Sequence, residues 1–220
     1  AALLDNIWPV PPVTDGAKRA AVETGREYLD LGDGRTLILQ PDPAVPYVAM
    51  SFMMPGGNAL LSPEKQGLAH LAAAVLKDGS GSRNAQATER FLAERAAALS
   101  VSAGLQTFSI SLTGPSRFNA DFCAALRDML EKPRFEEMEV RREARLMLSA
   151  LRQRQDTPAR YLFSKLNGFL YPGHVYGYDP LGTPDKLAVF SRDDVRAFWR
   201  EQSARPWVLS VAGTFDRDAM

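Results

Sequence analysis

The chain has 220 residues, 45% of them hydrophobic and 24% charged, enough for a sizeable core and ordinary for a globular protein. Its 26 acidic and 26 basic side chains balance, which removes any overall field that would steer it to nucleic acid or anionic lipid. One cysteine, Cys123, excludes an internal disulfide, and no apolar run approaches the length of a membrane span.

Residues 1–25 carry Pro9, Pro11 and Pro12 with little periodicity and read as an extended arm or linker. A basic stretch followed by an apolar core is missing there, so no signal peptide is visible. The rest, 26–220, reads as a single domain, a piece of a longer protein. Strands are expected over 26–31 and 36–40, joined through Asp33-Gly34. A third, 47–54, alternates Val48, Met50 and Phe52 with Ala49 and Ser51, which predicts one buried face. Pro55-Gly56-Gly57-Asn58 ends it.

A helix over 66–77 places Leu68, Leu71, Ala72, Val75 and Leu76 on one stripe. Gly79 can end that helix in a left-handed conformation. A second helix is expected over 85–99 with Phe91 and Leu92 inward, then strand pattern over 100–114 with Phe108, Ile110 and Leu112 on one side. A third helix carries Phe118, Phe122, Ala125, Leu126, Met129 and Leu130, and Pro133 stops it. A long charged helix spans 136–155. Asp156-Thr157-Pro158 then marks a stop, an N-cap and a proline in the first turn of a helix over 159–170, expected to bury Leu162, Phe163, Leu166 and Phe169. An irregular loop over 171–183, a helix capped by Ser191 with Asp194, and a strand over 207–213 complete the chain. Strands and helices come in runs, which predicts an α+β fold: a mainly antiparallel mixed sheet with helices packed on one face.

The chemistry available is sparse. There are two histidines, His70 and His174. His70 falls opposite the apolar stripe of its helix, with Ala73 and Ala74 one turn on, and a zinc site needs three protein ligands. His174 sits in Tyr171-Pro172-Gly173-His174-Val175-Tyr176-Gly177-Tyr178. That loop either touches substrate, with His174 and Tyr176 as candidates, or packs its aromatics over the end of the sheet, the reading its composition favours. Cys123 reads as a small buried hydrophobe, with no basic neighbour to activate it. No Gly-x-Ser-x-Gly elbow and no phosphate loop appear.

Gly67-Leu68-Ala69-His70-Leu71, with Pro55-Gly56-Gly57 before it and Asp78-Gly79-Ser80 after it, resembles the region where insulinase/pitrilysin metallopeptidases carry H-x-x-E-H. The likeness runs on through 83–94, Lys132-Pro133-Arg134-Phe135, Asp156-Thr157-Pro158, the 171–183 loop and the closing strand. In that family two histidines and a distal glutamate hold zinc, and the glutamate between the histidines activates water. Here only the first position is filled, by His70. Ala73 stands at the base, Ala74 at the second histidine, and the distal glutamate falls at or near Ala150.

The resemblance therefore implies a non-catalytic insulinase-like domain: no catalytic residue and no metal or other cofactor of its own. Zinc is expected in a partner catalytic domain, in the same chain or another subunit, with peptides as substrates. The domain would be structural and substrate-enclosing. The alternative is a scaffold or interaction protein of the same fold, unrelated to proteolysis. Neither nucleic acid nor a membrane span is implied.

Overall fold

Strand patterning of period two produces six strands in the computed structural model, which describes residues 25–215. The arm expected over 1–25 thus lies, but for Gly25, outside the described residues. The strands are β1 (Glu27–Asp30), β2 (Thr36–Pro41), β3 (Tyr47–Pro55), β4 (Ala98–Ala103), β5 (Thr107–Pro115) and β6 (Val208–Gly213). They form one sheet in the order β1-β2-β6-β3-β5-β4. Every neighbouring pair is antiparallel except β2 and β6, which run parallel from Thr36↔Val208 to Pro41↔Gly213. The closing strand thus enters the middle of the sheet, between β2 and β3.

The helices are α1 (Leu68–Leu76), α2 (Ala85–Glu94), α3 (Asn119–Glu131), α4 (Glu137–Gln155), α5 (Pro158–Leu170), α6 (Pro184–Leu187) and α7 (Arg192–Ser203). On β3 the side chains of Val48, Met50, Phe52 and Met54 are buried while Ala49 and Met53 are exposed, as the alternation predicts. Phe52, Met54, Phe108 and Ile110 pack with α1, with Leu126 and Met129 of α3, with Val140 and Met147 of α4, and with Phe198 and Trp199 of α7. Val48, Met50, Leu112 and Val211 pack with Phe122 and Ala125 of α3. Gly114 of β5 makes room there: a Cβ on it would meet the Phe122 ring at 2.5 Å. The fold is α+β with helices on one face of a mixed sheet. On the other face Ser51 pairs across with Ser111 and Ser210, and Ser102 with Ser109.

Local signals explain most boundaries. α4 carries Glu137 and Glu139 in its first turn and Arg152 and Arg154 in its last, the order the helix dipole favours. α7 begins with a full capping box: Ser191 Oγ accepts from the Asp194 backbone N–H, and the Asp194 carboxylate accepts from the Ser191 N–H. α5 has Pro158 in its first turn, but the Thr157 side chain makes no cap hydrogen bond.

Three expectations need correction. α2 ends at Glu94, not at 99: Ala96 turns into φ +47°, the Ala97 N–H reaches back to the Leu92 carbonyl, and Ala98 already pairs with Thr113. Pairing with β5 outweighs the helix propensity of three successive alanines. Gly79 is not left-handed helical but has φ +156°, close against the Arg83 carbonyl, and α1 ends before it at Leu76. Most consequential, α5 does not bury its apolar residues. Leu162, Phe163, Leu166 and Phe169 are all exposed, because α5 packs mainly on α4 and on the turn at Val175–Gly177 and contributes no side chain to the sheet's core.

Candidate functional site

α1 holds three of the four positions at issue. Gly67 caps it at φ +102°, and the chain at 181–182 comes so close that a Cβ on Gly67 would meet the Leu181 carbonyl at 2.8 Å, and one on Gly182 the Gln66 carbonyl at 2.3 Å. This mutual approach fixes the 171–183 loop against the start of α1.

His70 lies in that junction and is half-buried. Its Nδ1 is buried and has no hydrogen-bond partner among the described residues. Burial pushes its pKa below the usual histidine value, and the Asp179 carboxylate opposes that shift without cancelling it. Asp179 is held by Arg154 of α4, which donates to both carboxylate oxygens, one at 3.1 Å. Asp179 also accepts from the Leu181 N–H at 3.0 Å. Arg154 and Asp179 were not singled out in the sequence. Separated by 24 residues and brought together by a loop, they leave no periodic signal.

Ala73 is buried and Ala74 half-buried on α1; Ala150 is exposed on α4. α1 and α4 pack against each other. One imidazole and three methyl groups do not fit a zinc ion, which requires three protein donors. Among the described residues no three side chains of His, Cys, Asp and Glu converge in a way that could hold a metal. A methyl group at 73 can take no proton from water.

A second charged group flanks the end of α1. Arg142 of α4 bridges Asp78 at 2.8 Å, Glu139 at 2.6 Å and Glu143 at 3.1 Å. Burial, only partly offset by Arg142, raises the Asp78 pKa to about 6.

His174 and Tyr176 lie in the exposed loop. The Tyr176 backbone N–H donates to His174 Nδ1 at 3.2 Å, and the two rings meet edge to face at 4.8 Å. Tyr171 stacks edge-on against Tyr176 at 5.9 Å. These aromatics pack on one another, and the turn at Val175–Gly177 packs on α5. Cys123 is half-buried. Burial raises its pKa, against a smaller opposing effect from Arg127 one turn on, so Cys123 does have a basic neighbour, contrary to expectation, but one too weak to activate it.

No family model matches the chain. An uncharacterized zinc protease of Rickettsia bellii is 24% identical over 193 residues, 86% of this chain and 46% of its own length. A non-peptidase homolog YmxG of Helicobacter pylori is 24% identical over 141 residues, 64% of this chain and 33% of its own. Among solved structures, the peptidase M16 inactive domain from Pseudomonas fluorescens superposes with TM-score 0.79 at 17% identity, over 88% of this chain and 47% of that one. The chain has the fold of an M16-type domain.

A protease from Helicobacter pylori superposes equally well, TM-score 0.79 at 15% identity over the same 88% and 47%. The chain spans about half the length of the curated relatives it matches. Insulinase-like architecture, expected from the order of weak segments, is what the chain adopts. The inactive and non-peptidase names of two of its neighbours agree with a non-catalytic reading.

Proposed function

We propose that this M16-type domain is a non-catalytic, structural and substrate-enclosing part of a zinc metalloendopeptidase assembly, whose zinc is held by a catalytic domain in the same chain or in a partner subunit. The observation that carries the reading is the donor set on α1 and α4: His70 alone, with Ala73, Ala74 and Ala150, inside an otherwise intact fold. A domain built this way keeps the wall and loses the chemistry. Peptide substrates would meet its exposed 171–183 loop, where His174 and Tyr176 are the candidates for contact.

The name of the Helicobacter pylori relative favours a second reading, a scaffold of the same fold with no link to proteolysis. Calorimetric titration with zinc at pH 7 tests what both share: no one-to-one binding tighter than about 10 μM is expected, and tight binding lost in His70→Ala would refute both. Peptide cleavage by the native assembly separates them. Chelator-sensitive hydrolysis supports the peptidase reading; an assembly without H-x-x-E-H and without cleavage leaves the scaffold.

A further inference from the structure

Every residue of α5 whose side chain is described is exposed. Leu162, Phe163, Leu166, Phe169 and Leu170 recur at helical spacing, with Phe163 65% and Phe169 81% exposed. A helix of 13 residues is marginal in water and draws its stability from a covered apolar face. The five side chains expose on the order of 600 Å², as large as a monomer's biggest patch and close to the ~800 Å² each partner gives a standard interface. Such a stripe needs an occupant.

Charge selects among the candidates. α5 has two cations, Arg160 and Lys165, and no acid. Two copies packed through α5 would bring cations together without a counter-charge. Anionic lipid recognition draws on clusters of about four to eight cations, more than α5 supplies. A protein surface that is apolar at its centre and acidic at its rim fits both features. Relatives in which this domain is about half the chain carry a companion segment of comparable length.

We propose that the apolar face of α5, formed by Leu162, Phe163, Leu166, Phe169 and Leu170, is the docking surface for the companion domain of the assembly, through an apolar patch with an acidic rim. The proposal rests on the assembly reading for the existence of a companion, not for its chemistry. α5 is then ordered by that contact, and the exposed Tyr171 and Tyr176 lie at the interface margin.

The test places a photo-crosslinking benzoylphenylalanine at Phe163 or Phe169, and as a control at the exposed Val189, in the protein at its native length and in the assembly in which it purifies. In parallel, thiol labelling compares Phe169→Cys with Val189→Cys in a Cys123→Ser background. Expected are crosslinks from 163 and 169, not from 189, to acid-flanked apolar peptides outside 25–215 or in a co-purifying subunit. Labelling at 169 should be at least tenfold slower than at 189. Crosslinks to a second copy in isotope-mixed samples, crosslinks to lipid, or labelling at 169 as fast as at 189 would each overturn the proposal. Crosslinking to a companion that lacks H-x-x-E-H would leave the docking surface standing and remove the peptidase assembly instead.

Discussion

At His70 and Asp78, eight residues apart, burial moves two pKa values in opposite directions, each toward the neutral form, and each gives a pH signature. Burial disfavours the imidazolium of His70, so the folded state binds fewer protons there than the unfolded chain. Its stabilising effect is present above the usual histidine value of about 6.5 and is lost as the pH falls below it. We expect His70 to titrate below 6.5 by NMR, and His70→Gln to weaken the acid sensitivity of unfolding below about pH 6.5. An NMR titration at or above 6.5 would contradict the buried geometry. Asp78 has the opposite sign. Its folded pKa of about 6 lies above the ordinary 3.8, so the folded state binds the extra proton and stability is lost as pH rises through 4 to 6. Asp78→Asn imitates the protonated acid, while Arg142 keeps Glu139 and Glu143 as partners. Thermal melts at pH 8 should place Asp78→Asn above the parent protein, with the gap shrinking toward pH 4. An equal gap at both ends would show that charge is not the cause.

Among the elements, α7 and α5 behave in contrary ways although both start with clear sequence signals. α7 has its capping box and buries Val195, Phe198 and Trp199 against the sheet and α3. Ser191→Ala removes the side-chain acceptor for the Asp194 N–H and should cost about 1 kcal/mol in urea unfolding, with the slope of the transition unchanged. α5 starts at Pro158 as predicted, yet its apolar face is uncovered. Periodicity reports that a face is apolar, not what lies against it. The same distinction explains α2, whose alanine-rich end has helix propensity but is claimed by β5 at Ala98↔Thr113. In each case a partner remote in sequence, present or missing, decides the outcome.

For the whole molecule, β6 inserts between β2 and β3, and this settles the shape around the candidate site. It closes the sheet, so that α1, α3, α4 and α7 share one face and one core. The 171–183 loop lies against the start of α1 on the side away from the apolar stripe, and His70, which falls on that side, is half-buried. The serine-lined opposite face and α5 are what the domain leaves outside that core.

From the sequence alone came the alternation that names the strands, the stripes and caps that name the helices, the run-wise order that makes an α+β fold, and the scarcity of residues able to hold a metal, two histidines and one cysteine. These are local properties, carried by residue type and short spacing, and they survive without knowledge of neighbours. The parallel β2–β6 pairing, the burial of His70, the Arg154–Asp179 pair beside it and the bare face of α5 were decided only by tertiary structure. Each depends on which distant segments meet, and contact across the chain leaves no mark on the spacing of residues within one segment.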